Sequence, residues 1–104
     1  MRRWLLLAAL LPLAALAQAL DRQTGLVVDA DWELVRAHCT ACHSARLVTQ
    51  QRLDRAAWER VIRWMQKTQG LWELPPPVEG RILDYLARHY APAAGARRAP
   101  LMPP

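Results

Sequence analysis

The sequence predicts an all-α domain with three main helices. Three segments place apolar side chains at intervals of three and four residues, which is the spacing of one face of an α-helix. No segment alternates apolar and polar residues as a half-buried strand does. Gly70 and a run of three prolines separate the second segment from the third. Together these observations favour a small helical fold over a mixed or all-β fold.

The first helix is predicted over residues 31–41. Asp29 and Asp31 offer carboxylate oxygens that can cap its first turn. Three apolar residues then follow at helical spacing, namely Trp32, Val35 and Cys39. The next segment, residues 44–53, has no clean period and is rich in glutamine and arginine, so we expect a loop there.

The second helix is predicted over residues 54–69, with Asp54 as its N-cap and Gly70 as its C-terminal stop. Its apolar stripe consists of Trp58, Val61, Ile62 and Met65. Because prolines cannot continue a helix, we expect an extended stretch at residues 75–77. A third helix is predicted over residues 78–90, with an apolar side formed by Ile82, Leu83, Leu86, His89 and Tyr90.

The two ends of the chain are predicted to lie outside the folded domain. Arg2 and Arg3 precede a short apolar run that ends in small residues, which is the pattern of a secretory signal peptide. We expect cleavage after Ala17 or Ala19; an uncleaved membrane anchor is the alternative, and no other segment is long and apolar enough to span a bilayer. The predicted segments are a signal peptide (1–19), a folded domain (20–92) and a disordered tail rich in alanine and proline (93–104).

The charge of the chain does not indicate nucleic-acid binding. Its 14 basic and 9 acidic residues give a formal net charge of +5, and Arg2 and Arg3 would leave with the signal peptide. The remaining arginines are spread out, and no basic run is interleaved with aromatic residues. We therefore expect no nucleic-acid partner.

Residues 39–43 read Cys-Thr-Ala-Cys-His and contain both cysteines of the chain. The two thiols are three positions apart, so one helical turn can present both to the two vinyl groups of a haem. His43 follows at once and places an imidazole under the iron as its proximal ligand. Cys-x-x-Cys-His is the attachment signature of c-type haem. We therefore expect one covalent haem c, held by Cys39, Cys42 and His43, and a periplasmic location in a bacterium, since this haem is attached outside the cytoplasm.

Two other kinds of site also use a Cys-x-x-Cys pair. A zinc site would need two further ligands, and the chain has no second cysteine pair. A thioredoxin-like site is expected among strands and βαβ units, which the sequence pattern does not predict. The haem interpretation is therefore preferred. In a haem-free structural subunit, which is a further alternative, the two cysteines would form a disulfide.

Met65 is predicted to be the sixth ligand of the iron. It lies on the apolar stripe of the second helix, 22 residues after His43, where the stripe has to face the haem; ordinary core filling is its alternative role. His89, on the inner side of the third helix, is a rival ligand, and a histidine that complements the helix dipole is its simpler role. Trp72 and Arg46 are candidates to bind the haem propionates, against the alternatives of a core indole and a solvated arginine.

Over residues 29–91 the chain resembles small monohaem c-type cytochromes. The shared order is a helix, the haem motif, a middle helix with a methionine, a proline-bearing loop and a C-terminal helix. The resemblance implies a cytochrome c-like fold around one covalently bound haem, in which the first and last helices pack on each other. The residues that it places at this contact are Trp32 or Val35 on the first helix and Tyr85 and Leu86 on the last.

The chain departs from that family at two points. The family has a Gly-Pro pair whose proline carbonyl accepts a hydrogen bond from the haem histidine, and nothing between His43 and Leu74 is proline. We therefore expect another carbonyl, from residues 44–53, to orient His43. The family's methionine normally comes from a loop, whereas Met65 is predicted to be helical.

The run from His43 to Leu53, followed by Trp58 and Trp64-Met65, is similar to the haem subunits of periplasmic molybdenum sulfite dehydrogenases. This implies an electron carrier, not an enzyme, which takes electrons from a molybdopterin subunit and passes them to another cytochrome. A haem-based binder or sensor of small ligands, with an open sixth site, is the alternative. No stable membrane insertion is expected after the signal is cleaved.

Overall fold

The computed structural model of the protein describes residues 18–41 and 43–93. The helices in this part of the chain are α1 (Trp32–Cys39), α2 (Arg46–Thr49), α3 (Arg55–Thr68) and α4 (Pro76–His89). A single antiparallel bridge joins Leu20 to Val27, and the described residues form no strand. The prediction of an all-α fold is confirmed for these residues. The predicted signal peptide up to residue 17, Cys42 and the predicted tail from residue 94 lie outside them.

Helix α3 follows the sequence signals closely. Asp54 has an extended backbone, and its carboxylate accepts a hydrogen bond from the Ala57 amide at 2.7 Å, which is the geometry of an N-cap. Gly70 follows the helix with a φ of 73°, a left-handed conformation that glycine adopts at little cost. The predicted start and end of this helix are therefore confirmed.

Helix α1 is not capped as the sequence predicts. Asp31 precedes it with a φ of 71°, and neither Asp31 nor any other side chain accepts a capping hydrogen bond there. Both aspartates of this region bind basic side chains of α4 instead. Asp31 pairs with Arg81 at 2.6 Å, and Asp29 pairs with Arg88 at 3.2 Å. The charged partners on α4 thus outcompete the amides of the first turn for these carboxylates.

Two further predictions about the elements are wrong. Residues 46–49, within the predicted loop, form the one-turn helix α2. Helix α4 begins at Pro76, two residues before the predicted start, and only Pro75 keeps an extended backbone. The first amides of a helix have no acceptor within it, so the missing N–H groups of Pro76 and Pro77 cost little there.

Helix α4 is the centre of the fold, because α1 and α3 both pack against it. Val35 of α1, Ile62 of α3 and Tyr85 of α4 belong to one buried core, whereas Trp32 is only partly buried. The N-terminal segment, residues 18–31, lies over the same core with Leu26 fully buried. None of the described helices is long and apolar enough to cross a bilayer.

The start of α3 is tied to the end of α4 through one carbonyl. The Tyr90 carbonyl accepts hydrogen bonds from the Leu53 amide at 2.9 Å and from the Trp58 indole N–H at 3.1 Å. Trp58 is itself buried, so this hydrogen bond satisfies the one polar group of its ring. These contacts fix α3 against α4.

Candidate functional site

An apolar pocket of about 270 Å³ opens between the end of α1, α2 and α3. Cys39, His43 and Met65 all line it, although they come from three separate segments of the chain. The other apolar side chains of its walls are Leu47, Val48, Trp58, Val61, Ile62, Trp64 and, from α4, Leu86. Among the described residues, no aspartate, glutamate, lysine or arginine lines this pocket. The walls therefore suit an apolar group better than a charged metabolite.

The local structure explains how the three chemical groups meet. Cys39 is the last residue of α1, so its side chain stands at the open end of that helix. His43 follows four residues later, before α2 begins. Met65 lies on the predicted stripe of α3, and all four residues of that stripe line the pocket. The helical period of α3 thus places the thioether of Met65 in the same pocket as the His43 imidazole.

A second, much smaller cavity of about 10 Å³ shares Cys39, His43, Met65 and Gln69 with the pocket. His38 and Leu71 complete its lining. Leu71 belongs to the loop of residues 70–74, which joins α3 to α4. This loop therefore closes one edge of the site.

Burial changes the chemistry of Cys39. It raises the pKa of the thiol to about 11, because a buried thiolate would lose its hydration. As a free thiol, Cys39 is therefore protonated at neutral pH. Catalytic and redox-active cysteines need a lowered pKa, so this environment does not favour a nucleophilic or thioredoxin-like role.

The two predicted propionate ligands lie outside the lining of both cavities. The Trp72 indole, 44% exposed, donates its N–H to Nδ1 of His38 at 3.0 Å. Arg46 is exposed on α2. The structure brings neither of them to the pocket walls, and their predicted role with a propionate stays a prediction.

His89, the predicted rival of Met65, is directed to another part of the molecule. Its Nε2 atom lies 2.8 Å from Oδ2 of Asp29, and its side chain is only 5% exposed. It lines neither of the two cavities that contain His43. The arrangement therefore favours Met65 over His89 as the partner of His43.

Sequence reasoning missed the wall that α2 contributes. Leu47, Val48 and Gln51 line the pocket, but the segment that contains them has no clear period. The adjacent apolar pair Leu47-Val48 was the available signal, and one helical turn is too short to show a repeat. The predicted carbonyl of residues 44–53 that would orient His43 is not among the hydrogen bonds of the described residues.

Metal binding by protein side chains alone has no support in the described part of the chain. Within residues 18–41 and 43–93, no three side chains of His, Cys, Asp or Glu cluster closely enough to hold a metal ion. Comparisons with protein-family models, with curated proteins and with solved structures gave no match. Inferences about function therefore rest on the residues of this chain.

Proposed function

We propose that the protein is an electron-transfer subunit that carries one covalent haem c. The observation that carries this proposal is the meeting of Cys39, His43 and Met65 in one apolar pocket. The first two belong to a Cys-x-x-Cys-His motif, which is specific for haem attachment. The third supplies the thioether that completes a histidine–methionine ligand pair, as in electron-transfer cytochromes.

The residues of the pocket fit a haem in three respects. The described walls are apolar and carry no carboxylate or fixed cation, as the faces of a porphyrin require. An imidazole and a thioether, the iron ligands of electron-transfer cytochromes, both reach the pocket. Leu47, at the pocket, is 53% exposed, so an apolar side chain is available to cover a macrocycle.

Each residue then has a defined role. Cys39 and Cys42 would hold the porphyrin through thioether bonds, formed when each S–H adds across a vinyl C=C bond. His43 and Met65 would be the protein ligands of the iron. The bound haem supplies a one-electron ferric–ferrous couple. The apolar walls exclude water from it, and this exclusion favours the less charged, ferrous state.

The surface charge supports an acidic protein partner. Arg46 of α2 and Arg60 and Lys67 of α3 are exposed on two helices that line the pocket. None of the three forms an ion pair within the part of the chain that the structure describes. Basic side chains near a redox site steer acidic partners and raise the rate of encounter.

The resemblance of residues 43–65 extends the proposal to the partners and to the location. We propose a periplasmic protein that accepts electrons from a molybdopterin subunit of the sulfite dehydrogenase type and passes them to another cytochrome. The first check is the neighbouring reading frame, where a molybdopterin oxidoreductase is expected. Purified candidates of that class should reduce the haem in the presence of sulfite, and a partner that leaves it oxidised is excluded.

The haem itself is tested by expressing the full chain in a bacterial host that matures c-type cytochromes. We expect the mass of the mature chain to exceed that of its amino acids by one haem, and the colour to survive acid–acetone extraction. The control is a variant with Cys39→Ser and Cys42→Ser, which should show neither. A chain with the mass of its amino acids alone would refute the proposal.

Carbon monoxide separates electron transfer from ligand sensing. With Met65 on the iron, the spectrum of the reduced protein should stay unchanged when carbon monoxide is added. Rapid binding would show that the sixth site is open. The protein would then be a haem-based ligand binder, and the electron-transfer role would be rejected.

A further inference from the structure

The loop of residues 70–74 is fastened to two helices at its exposed side. The Trp72 indole N–H donates to Nδ1 of His38 at 3.0 Å, and the two rings meet edge to face with their centroids 5.7 Å apart. The Trp72 carbonyl accepts from the side-chain amide of Gln66 at 3.4 Å, and the Leu71 amide donates to the Met65 carbonyl at 3.2 Å. One loop is thus tied to the end of α1 and to the turn of α3 that carries Met65.

Through Leu71, this loop borders the small cavity that Met65 also lines. Leu71 closes one side of the small cavity that Cys39, His43 and Met65 line from the other sides. A cavity of about 10 Å³ is at the lower limit for a single water molecule, which needs roughly 10–15 Å³. A small outward movement of Leu71 would therefore decide whether water or a small ligand reaches Met65 through this cavity. The larger pocket is the other route to Met65, and the proposed haem would fill it.

We propose that Trp72 and His38 form a latch that holds the 70–74 loop over the small cavity and restricts the access of water and small molecules to Met65 from that side. Trp72 is then a positioning residue, acting through Leu71, and its 44% exposure reflects its place outside the cavity that it helps to close. The functional role of the latch rests on the proposed haem site. The latch itself does not depend on haem, because its hydrogen bonds join protein groups to one another.

Two amides that share one acceptor give a sharp test. The Gln69 and Leu71 amides both donate to the Met65 carbonyl, at 2.9 and 3.2 Å, but Gln69 caps the helix whereas Leu71 belongs to the loop. Trp72→Phe keeps an aromatic ring and removes the N–H. In the full-length protein it should speed hydrogen exchange of the Leu71 amide about two- to tenfold, the effect of one net hydrogen bond, and leave Gln69 unchanged.

Access to Met65 is measured in the haem-loaded form of the same variants, in which the larger pocket that Met65 also lines would be filled. The readout is mass spectrometry of the Met65 sulfoxide after mild treatment with chloramine-T. Trp72→Phe and His38→Leu should each speed this oxidation about two- to tenfold. The double variant should be no faster than either single one, because both remove the same hydrogen bond. Trp32→Phe is the matched control, since it makes the same chemical change on α1 at a residue that lines neither cavity.

The outcomes distinguish a failure of the latch proposal from a failure of the proposed function. Unchanged exchange of the Leu71 amide, equal acceleration of Leu71 and Gln69, or unchanged oxidation of Met65 would each overturn the latch. A mature chain without haem would refute the proposed function only, because exchange of the Leu71 amide reports on the latch with or without the cofactor.

Discussion

At the scale of single residues, two tyrosines hold the backbone of the N-terminal segment. The hydroxyl of Tyr85 donates to the Val27 carbonyl at 2.7 Å, and the Val27 amide donates to the hydroxyl of Tyr90 at 3.2 Å. Burial raises the pKa of Tyr85, because a phenolate in that position would lose its hydration. Tyr85 therefore stays neutral and remains a donor across the whole range in which the protein is handled.

Loss of the Tyr85 ring should be costly. We expect Tyr85→Ala to lower the free energy of unfolding by about 3 kcal/mol or somewhat more, as for a large aromatic residue removed from a core. Tyr85→Phe keeps the ring and leaves the Val27 carbonyl without its partner, which should cost about 1–3 kcal/mol. Urea denaturation measures both. A loss below about 0.5 kcal/mol for the alanine variant would contradict the burial of this side chain.

Met65→Leu tests the sixth ligand. Leucine has nearly the same volume and no sulfur, so haem attachment should persist while the reduction potential falls and the ferric methionine charge-transfer band disappears. Redox titration and the near-infrared spectrum measure the two effects. Ile62→Leu, another apolar change in the same pocket, serves as the control and should retain the band. If both properties survive in Met65→Leu, Met65 is an ordinary core residue.

At the scale of elements, the ends of the helices show what local sequence can determine. Asp54 and Gly70 bound α3 as predicted, because a capping side chain and a left-handed glycine each act on backbone within a few residues of their own position. Asp31 could not be assigned in this way. Its partner Arg81 is 50 residues away in the sequence, and only the packing of α1 on α4 brings the two together.

A pair of glycines isolates the contribution of the backbone. Gly70 has a φ of 73°, whereas Gly80 lies inside α4, and a β-carbon at either position would meet no atom within 4 Å. Gly70→Ala should therefore lower stability by about 1 kcal/mol or more, through backbone strain alone. Gly80→Ala should raise it by about 0.5–1 kcal/mol, through helix propensity. Thermal unfolding checks both signs, and equal effects at the two sites would contradict the backbone geometry.

The docking of the N-terminal segment on α4 should weaken in acid. Hydrogen bonds from the Ala30 amide, and then from His89 and Arg88, hold the pKa of Asp29 below its ordinary value of 3.8. The folded state thus binds this proton less readily than the unfolded state does. The stability from Asp29 is present above pH 3.8 and is lost as the pH falls through the lower folded pKa.

Urea denaturation between about pH 5 and pH 2 measures this effect. Asp29→Asn removes the titrating group, so its stability should fall less steeply over this interval than that of the natural chain. The same slope in both proteins would mean that Asp29 is not held by these partners in solution.

At the scale of the whole molecule, the all-α class and the wall that α3 contributes to the pocket could be predicted from the sequence. The complete pocket could be predicted only in part. The apolar stripe of α3 extends over about two helical turns, so the sequence of residues 58–65 shows which face of the helix is apolar. The single turn of α2 could not be predicted, because four residues are too few to show a helical period. The start of α4 at Pro76 was hidden by the general rule that proline interrupts helices, which does not hold for the first turn.

A filled pocket should also matter for the stability of so small a domain. The folded domain is predicted over residues 20–92, and a domain of this size has little core to spare. Replacing Cys39 and Cys42 by serine should therefore lower the free energy of unfolding by at least about 2 kcal/mol relative to the haem-loaded protein, the low end for a covalent crosslink. Chemical denaturation of the two forms gives the difference. Equal stability would mean that the haem adds nothing to the core.

The carbonyl of Tyr90 also bears on the order in which the molecule is assembled. It accepts hydrogen bonds from the backbone before α3 and from the indole of Trp58, which lines the pocket. Tyr90 lies 32 residues after Trp58 in the sequence. The contacts that hold Trp58 are therefore complete only when the end of α4 has docked. A haem attached before this docking would meet an open, accessible chain, whereas a haem added afterwards would meet a closed pocket.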